Sequence, residues 1–532
     1  MAGSFGIMKQ MSTQKPSNYW LDQVAEQIIA ERGGSENIMV SSGHSPSGAY
    51  HIGTVRELMT ASVVAWAINQ RGHKATHMDF VDDFDAFRKV PANVSAEFEQ
   101  YIGQPLYLTP DPEGSCHQTY ADHLYLPFLE ALNKVGIEPK VIRAHEVYLS
   151  GAFTPYIEAA LDNVDKIKAI IKEHGGGREL PRDWAPVQLL SDSNNLREWK
   201  FTGWDKVRQV VIYEDADGKS GELDYTRGRV KLDWRLDWPA RWHMYGVAVE
   251  PFGRDHATKG GSYDTGKELV KQIFDGVAPF PVPYEFINQA GDTKKMSKSA
   301  GNVITLVDAL DVMPAEILRY FVIRNKPSKT LIYDPGVGLY TLIDEYSKVE
   351  EAVASGQDHE FAHAYAAANS LGGERTIARI PFNHLVSVYQ TAQGDEDQIL
   401  ALLERTGFEA AVKDQKDVLL REIPYVKNWL AKYAPESVKF EVQDEVPDVE
   451  LSEGQKSFVG ALADSLEKAG DLDGPEMHQV IYAAKEAADI KPGEAFQALY
   501  RLILGKDSGP KAGYFLSSLD REWLIKRLRK KP

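Results

Sequence analysis

The sequence predicts an α/β protein with a parallel sheet, an inserted subdomain and an all-helical C-terminal domain. Three observations predict it. "ENIMVSSG", a glycine-bearing turn, a helical stretch and "KATHMDFVDDFDAF" follow one another as a βαβ unit. "VVIYEDADGKSGELDYTRGRV" reads as a β-hairpin within the chain, with Asp-Gly between alternating segments. After about Tyr340 strand signals mostly stop and amphipathic helical patterns take over.

Each element has its own warrant. Glu36 to Gly43 is an apolar run ending in small residues, as a buried strand is. The stretch "SPSGAYHIGTVRE", Ser45 to Glu57, turns into a helix from about His51 to Gln70. Val55, Leu58, Met59, Ser62, Trp66 and Ala67 keep helical spacing there, and Gly72 suits its stop. From Phe98 to Trp234 the pattern is less regular, as an insertion in a nucleotide-binding fold would be. Pro239 at a helix start and Gly246 past its end frame one further helix. The αβ pattern resumes at "YGVAVEPFGRDH" and runs to "FINQAG". "DEYSKVEEAVA", "DEDQILALLERTG", "LLREIPYVKNWLAKYA" and "SFVGALADSLEKAG" supply the helices of the last third.

Bulk properties narrow the class. The chain has 532 residues, enough for several domains and a large core. Cys116 is the single cysteine, so no disulfide framework exists within the chain, and a cytoplasmic protein is expected. The N-terminal "MAGSFGIMKQMSTQKPS" has no apolar core of a secretory signal, and no apolar run approaches the roughly 20 residues that span a bilayer. A net charge of -17 argues against general coating of nucleic acid, although "KRLRKKP" forms a local basic tail.

Two stretches carry chemistry. In the first, Gly48 and Gly53 let backbone approach a ligand, and His51 opens a helix whose free N–H groups favour phosphate. An imidazole there can stabilise charge building on a phosphoryl group. The second is "GDTKKMSKSAGN", Gly291 to Asn302, a cationic turn able to close over a triphosphate.

His51-Ile52-Gly53-Thr54 resembles the HIGH signature, with Thr54 where the signature has its second His, and Lys295-Met296-Ser297-Lys298-Ser299 matches KMSKS. The pair, in this order on a βαβ background, resembles the class I aminoacyl-tRNA synthetases. The first stretch, together with "KLDWRLDWPARWHMYGVAVEPFGRDH", is similar to the class I lysyl-tRNA synthetases, the archaeal-type lysine enzymes, from about Asn18 to Tyr340. That resemblance implies a Rossmann-like catalytic domain in two halves, 18–95 and 234–290. An insertion at 96–233, a KMSKS loop and linking segment at 291–345, and a helical anticodon-binding domain at 346–532 complete it.

The resemblance implies ATP-dependent activation of lysine and its transfer to tRNA(Lys). Magnesium accompanies ATP. His51, Thr54, Lys295 and Lys298 are the catalytic candidates, and Pro46, Ser47, Gly48, Gly53, Asp255, Met296 and Ser297 join His51, Thr54 and Lys298 around ATP. A lysine pocket needs carboxylate or aromatic groups, which Trp234, Asp237 and Trp238 offer. Gly43, Ser45 and His256 complete the implied lysine set. Asp111, Cys116, His117 and His123 are a candidate zinc set, since similar residues hold zinc in some archaeal relatives; the spacing here differs by one residue.

Other readings stay open: a synthetase of the same class for glutamate or arginine, or a HIGH-type adenylyltransferase. A monomer without membrane association is expected. "GSYDTGK", Gly261 to Lys267, imitates a P-loop, but Glu268 stands where magnesium needs Ser or Thr, and no apolar strand enters it.

Overall fold

The computed structural model describes residues 18–529, apart from 93, 191, 198, 292–303 and 373–374. It divides into two units. One comprises residues up to 309 with 319–333 and 366–373; the other comprises 310–318, 334–365 and the rest from 374.

The first unit is built on a five-stranded parallel sheet. Helix α1 (Trp20–Arg32) precedes β1 (Ile38–His44), α2 (Ile52–Gln70) and β2 (Ala75–Val81). Helix α3 (Tyr120–Lys134) leads to β3 (Lys140–Arg143). The chain then leaves the sheet. Short β4 (Val187–Leu189) pairs antiparallel with β8 (Val230–Leu232), and β5 (Trp199–Asp205), β6 (Val210–Asp215) and β7 (Ser220–Asp224) form an antiparallel three-stranded sheet. The expected hairpin is β6–β7, turned at Gly218, whose φ is +79°.

The chain returns through α4 (Trp234–Met244) to β9 (Val247–Gly253), α5 (Ser262–Ile273) and β10 (Phe280–Tyr284). The sheet order is β10-β9-β1-β2-β3, every pair parallel. Connections run outward from β1 in one direction, then from β9 in the other. The crevice beyond the carboxyl ends of β1 and β9 is therefore the switch point where open parallel sheets bind ligands. β1 and β2 are largely buried, and the buried polar residues Ser42, His77 and Asp79 lie on them.

Pro239 does not start α4; it lies within it. Asp233 caps the helix instead, its Oδ1 accepting the Arg235 N–H at 3.1 Å, so the helix begins five residues earlier than the proline rule places it. Beyond β10, β11 (Ile287–Gln289) pairs parallel with β12 (Leu331–Tyr333).

Among the described residues of the second unit, the regular elements are helices. Phe458, Leu462, Leu466, Leu499, Ile503 and Phe515 are fully buried in its core. The helices Glu453–Lys468 and Gly474–Ala487 start with reciprocal capping boxes, Ser452 with Gln455 and Asp473 with Glu476.

Candidate active site

At the carboxyl end of β1 the chain makes the turn that carries the first signature. His51 is the N-cap of α2 and folds its ring back, Nδ1 accepting the Gly53 N–H at 3.0 Å. A Cβ on Gly53 would meet His51 Nδ1 at 2.7 Å, so any other residue there would displace the imidazole. A polar network fixes the turn from beneath. The Tyr50 hydroxyl lies 2.7 Å from His44 Nδ1, and His44 Nε2 lies 3.0 Å from Asp79. Asp79 also accepts the Ser42 hydroxyl at 2.8 Å, and Ser42 contacts His77 at 2.9 Å. Burial opposes ionisation of Asp79, but the charge and hydrogen bond of His44 more than offset it and hold the carboxyl below its ordinary range. Burial pushes His77 down to about 4, so it is neutral.

The second signature meets the first through its downstream flank. Ile52 N–H donates to Ile304 carbonyl at 3.1 Å, and His51 forms a bridge with Thr305. Lys295, Met296, Ser297 and Lys298 lie outside the described residues. Of the other ATP candidates, Ser47 is exposed on the turn while Pro46 and Gly48 are buried in it, and Thr54 follows on the first turn of α2.

A cavity of about 280 Å³ opens at the switch point. Gly43, Trp234, Trp238, Asp255 and His256 line it, so the structure brings these five candidates together. Trp234 and Trp238 stand one helical turn apart on α4, with ring centroids 6.2 and 5.4 Å from that of His256. Two expected members are not on the cavity wall. Asp237 is fully buried, accepts the Tyr148 hydroxyl at 2.6 Å and pairs with Arg241 at 2.8 Å. Its charge is consumed by the fold, so it does not face a substrate. The Ser45 hydroxyl is buried beside Asp85.

The cavity also holds residues that the spacing rules passed over: Glu57, Arg241, Glu250 and Tyr284. Glu57 accepts the Gly43 N–H at 2.9 Å and the Tyr284 hydroxyl at 2.6 Å. Burial raises its carboxyl, partly offset by those two bonds. Glu250 accepts the Trp238 indole N–H at 2.8 Å, and burial raises it to about 8. Arg241 lies over Phe80, 4.1 Å from its centroid, and its charge is answered by Asp237. What remains is an aromatic-walled cavity with a carboxylate held open between a backbone amide and a phenol. Such a cavity suits a cation on an apolar stem.

Asp111, Cys116, His117 and His123 converge, each offering one donor atom within 4.8 Å of the others. Cys116 Sγ lies 3.1 Å from Nδ1 of both His117 and His123, and His123 Nδ1 lies 3.0 Å from Asp111. One sulfur, two nitrogens and one oxygen at these separations fit a four-coordinate zinc.

A family model described as tRNA synthetases class I (K) matches residues 18–371. The chain belongs to this family. A second model, an anticodon binding domain, matches residues 429–531 of the synthetase. The lysine–tRNA ligase of Methanosarcina barkeri is 38% identical over 96% of this chain and 97% of its own. Those of Pyrococcus horikoshii and Thermococcus kodakarensis are 38% and 39% identical over 96% of this chain and 99% of theirs. The synthetase is thus an aminoacyl-tRNA ligase, and no helix among its described residues is long and apolar enough to cross a membrane.

Proposed function

We infer that this enzyme is a lysine–tRNA ligase, which activates L-lysine with ATP to lysyl-adenylate and passes the lysyl group to tRNA(Lys). The observation that carries the amino-acid choice is the buried Glu57 carboxylate, braced by Gly43 and Tyr284 within the Trp234–Trp238 cavity. A glutamate pocket would need a free cation on its wall, and Arg241, the one arginine among the described lining residues, is paired with Asp237. Identity to lysine–tRNA ligases along almost the whole chain agrees with this choice.

The substrate ammonium is taken by Glu57 and Tyr284, with the Trp234, Trp238 and His256 rings along its methylenes. Gly43 completes the lysine end. Pro46, Ser47, Gly48, Gly53 and Asp255 shape the nucleotide end, with Met296 and Ser297 from the second signature. In the first step a lysine carboxylate oxygen attacks the α-phosphorus and the bond to the β-phosphate bridge breaks. His51 and Thr54 stabilise charge on the phosphates, and Lys295 and Lys298 take the pyrophosphate. In the second step a hydroxyl of the tRNA 3′ end attacks the lysyl carbonyl and AMP leaves. Magnesium bound with ATP supplies further charge neutralisation. No covalent bond to the protein is needed; positioning and electrostatics suffice.

Asp111, Cys116, His117 and His123 hold a structural zinc in this reading. One chain carries the cavity, both signatures and the anticodon-binding region, which supports a monomeric enzyme. The lone cysteine supports a cytoplasmic setting. Pyrophosphate exchange with ATP, magnesium and each of the twenty amino acids, with and without tRNA, tests the assignment. Lysine alone should support exchange; exchange with glutamate or arginine instead would overturn the pocket.

A further inference from the structure

Resting on that reading, we propose that Arg178 and Arg235 form a phosphodiester site at the mouth of the amino-acid cavity, where they hold the unpaired 3′ end of the tRNA. The argument starts from charge. On a chain of net charge -17, an arginine would be expected to find a carboxylate. Neither of these guanidiniums has a hydrogen bond or ion pair among the described residues. Arg235 is instead pressed by its neighbour: burial, then the Arg178 charge, lowers its pKa from the ordinary value, and Asp233 opposes this. The Asp233 carboxylate is meanwhile engaged as the cap of α4. Glu179, next to Arg178, pairs with Lys172. The Asp233 charge only partly answers the repulsion from Arg178, so an anion between the two guanidiniums would stabilise both.

Position says which anion. The Arg235 guanidinium lies 4.4 Å from the centroid of Trp234, a wall of the cavity. Arg178 leaves the bare loop Gly175–Gly177, in which Gly176 and Gly177 have φ of +68° and +80°. This loop packs backbone to backbone on the turn that follows His256: a Cβ on Gly260 would meet Gly176 N at 2.7 Å. Arg235 thus stands on a wall residue of the cavity, and Arg178 follows a loop without side chains that packs on the turn after His256, another wall residue. Planar guanidiniums match phosphate oxygens in bidentate fashion.

ATP also carries phosphates, so the test separates the two sources. tRNA binding would be measured by fluorescence anisotropy from low to moderate salt for the wild type, Arg178→Ala, Arg235→Ala and the double variant. Arg227→Ala serves as control, since that side chain is exposed and pairs with Asp224. Each single variant should weaken tRNA binding about 10-fold. Each should also flatten the slope of log K against log salt by about 0.7, the value for one single-strand phosphate. A tRNA stripped of its unpaired 3′ nucleotides should bind wild type and variants equally, and the KM values for lysine and ATP should stay within about twofold. An unchanged salt slope, or a rise in the ATP KM with tRNA binding intact, would overturn the proposal. A wild-type enzyme that charges no lysine would instead overturn the reading on which it rests.

Discussion

Lys231 reaches from β8, in the inserted region, to within 2.8 Å of Asp82 just beyond the end of β2, 149 residues earlier in the chain. Its ammonium also donates to Asp85 at 2.9 Å, and its side chain is only 1% exposed. Burial, then the Asp85 charge, pushes Asp82 up to about 7, while Lys231 holds Asp85 below its ordinary range against burial. The ammonium, shared between both carboxylates, is the main counter-charge that lets them sit in the interior. Lys231→Met should leave them facing one another and cost about 3–5 kcal/mol of stability, as breaking a buried pair does. Urea unfolding measures it; a variant as stable as the wild type would show that the triad is not paired.

The Glu57 carboxylate should govern lysine binding. Glu57→Gln keeps the shape and the two hydrogen-bonding neighbours but removes the charge, so the KM for lysine should rise about 30- to 5000-fold, the range for truncating one partner of a buried charge pair. The pH dependence has a fixed sign. Burial raises the Glu57 carboxyl, so the empty cavity retains a proton above the ordinary carboxylate range. An ammonium requires the ionised form. The KM should therefore fall as pH rises through the shifted pKa, and the Gln variant should lose that dependence. A wild-type KM flat with pH would remove Glu57 from the site.

His51 acts on charge that exists only during activation. His51→Ala should lower kcat for lysyl-adenylate formation about 10²- to 10³-fold, as loss of one transition-state donor does. tRNA affinity should be nearly unchanged, because the anticodon-binding match lies at residues 429–531. An equal loss in both measurements would mean that the imidazole holds the turn rather than the phosphates.

These residues also show what could be read from the chain and why. The two signatures were legible because phosphate chemistry needs a contiguous set of small, cationic and imidazole groups, and contiguity survives in a sequence. The parallel sheet was legible because β1 and β2 are largely buried and carry apolar runs, Ile38 to Val40 and Phe80 to Val81, beside a helical stretch. Glu57 ends the very stretch that drew attention, yet its role depends on Tyr284, 227 residues away. Lys231 was silent for the same reason. Asp237 misled because it lies on α4 between Trp234 and Trp238; only the fold reveals Tyr148 and Arg241 waiting for it. Pro239 misled because a weak positional rule yielded to a better cap at Asp233.

The four converging donors make a definite claim about metal. The purified protein should contain about one zinc per chain, read by elemental analysis, and Cys116→Ser should lower that content severalfold. Chelator treatment should lower the melting temperature of the wild type but leave the variant nearly unmoved, because metal binding to a folded site is folding free energy. Full occupancy in the Ser variant would exclude Cys116 as a ligand.

In the helical unit, Glu422 is fully buried on the helix Glu409–Lys432 and accepts the Ala378 N–H at 2.8 Å. Burial comes first and the charge of Glu316 adds to it; together they raise the Glu422 carboxyl to about 8. Glu316 is itself buried, accepting the N–H groups of Thr376 at 2.6 Å and Ile377 at 3.0 Å. A folded pKa above the unfolded one stabilises below the unfolded value and ceases to do so as pH rises through the folded value. Stability of this unit should thus decline from about pH 4.5 to about pH 8. Glu422→Gln carries no proton to lose and can still accept the Ala378 N–H. It should match the wild type near pH 4 and exceed it by about 2–4 kcal/mol near pH 8.5. Hydrogen exchange at the Ala378 and Thr376 amides reads this locally. Protection in the wild type should fall with pH faster than the intrinsic exchange rate requires, and in the variant it should not. Parallel profiles would place the ionised carboxylate in the folded interior at neutral pH, with Arg375 compensating its charge more fully than burial opposes it.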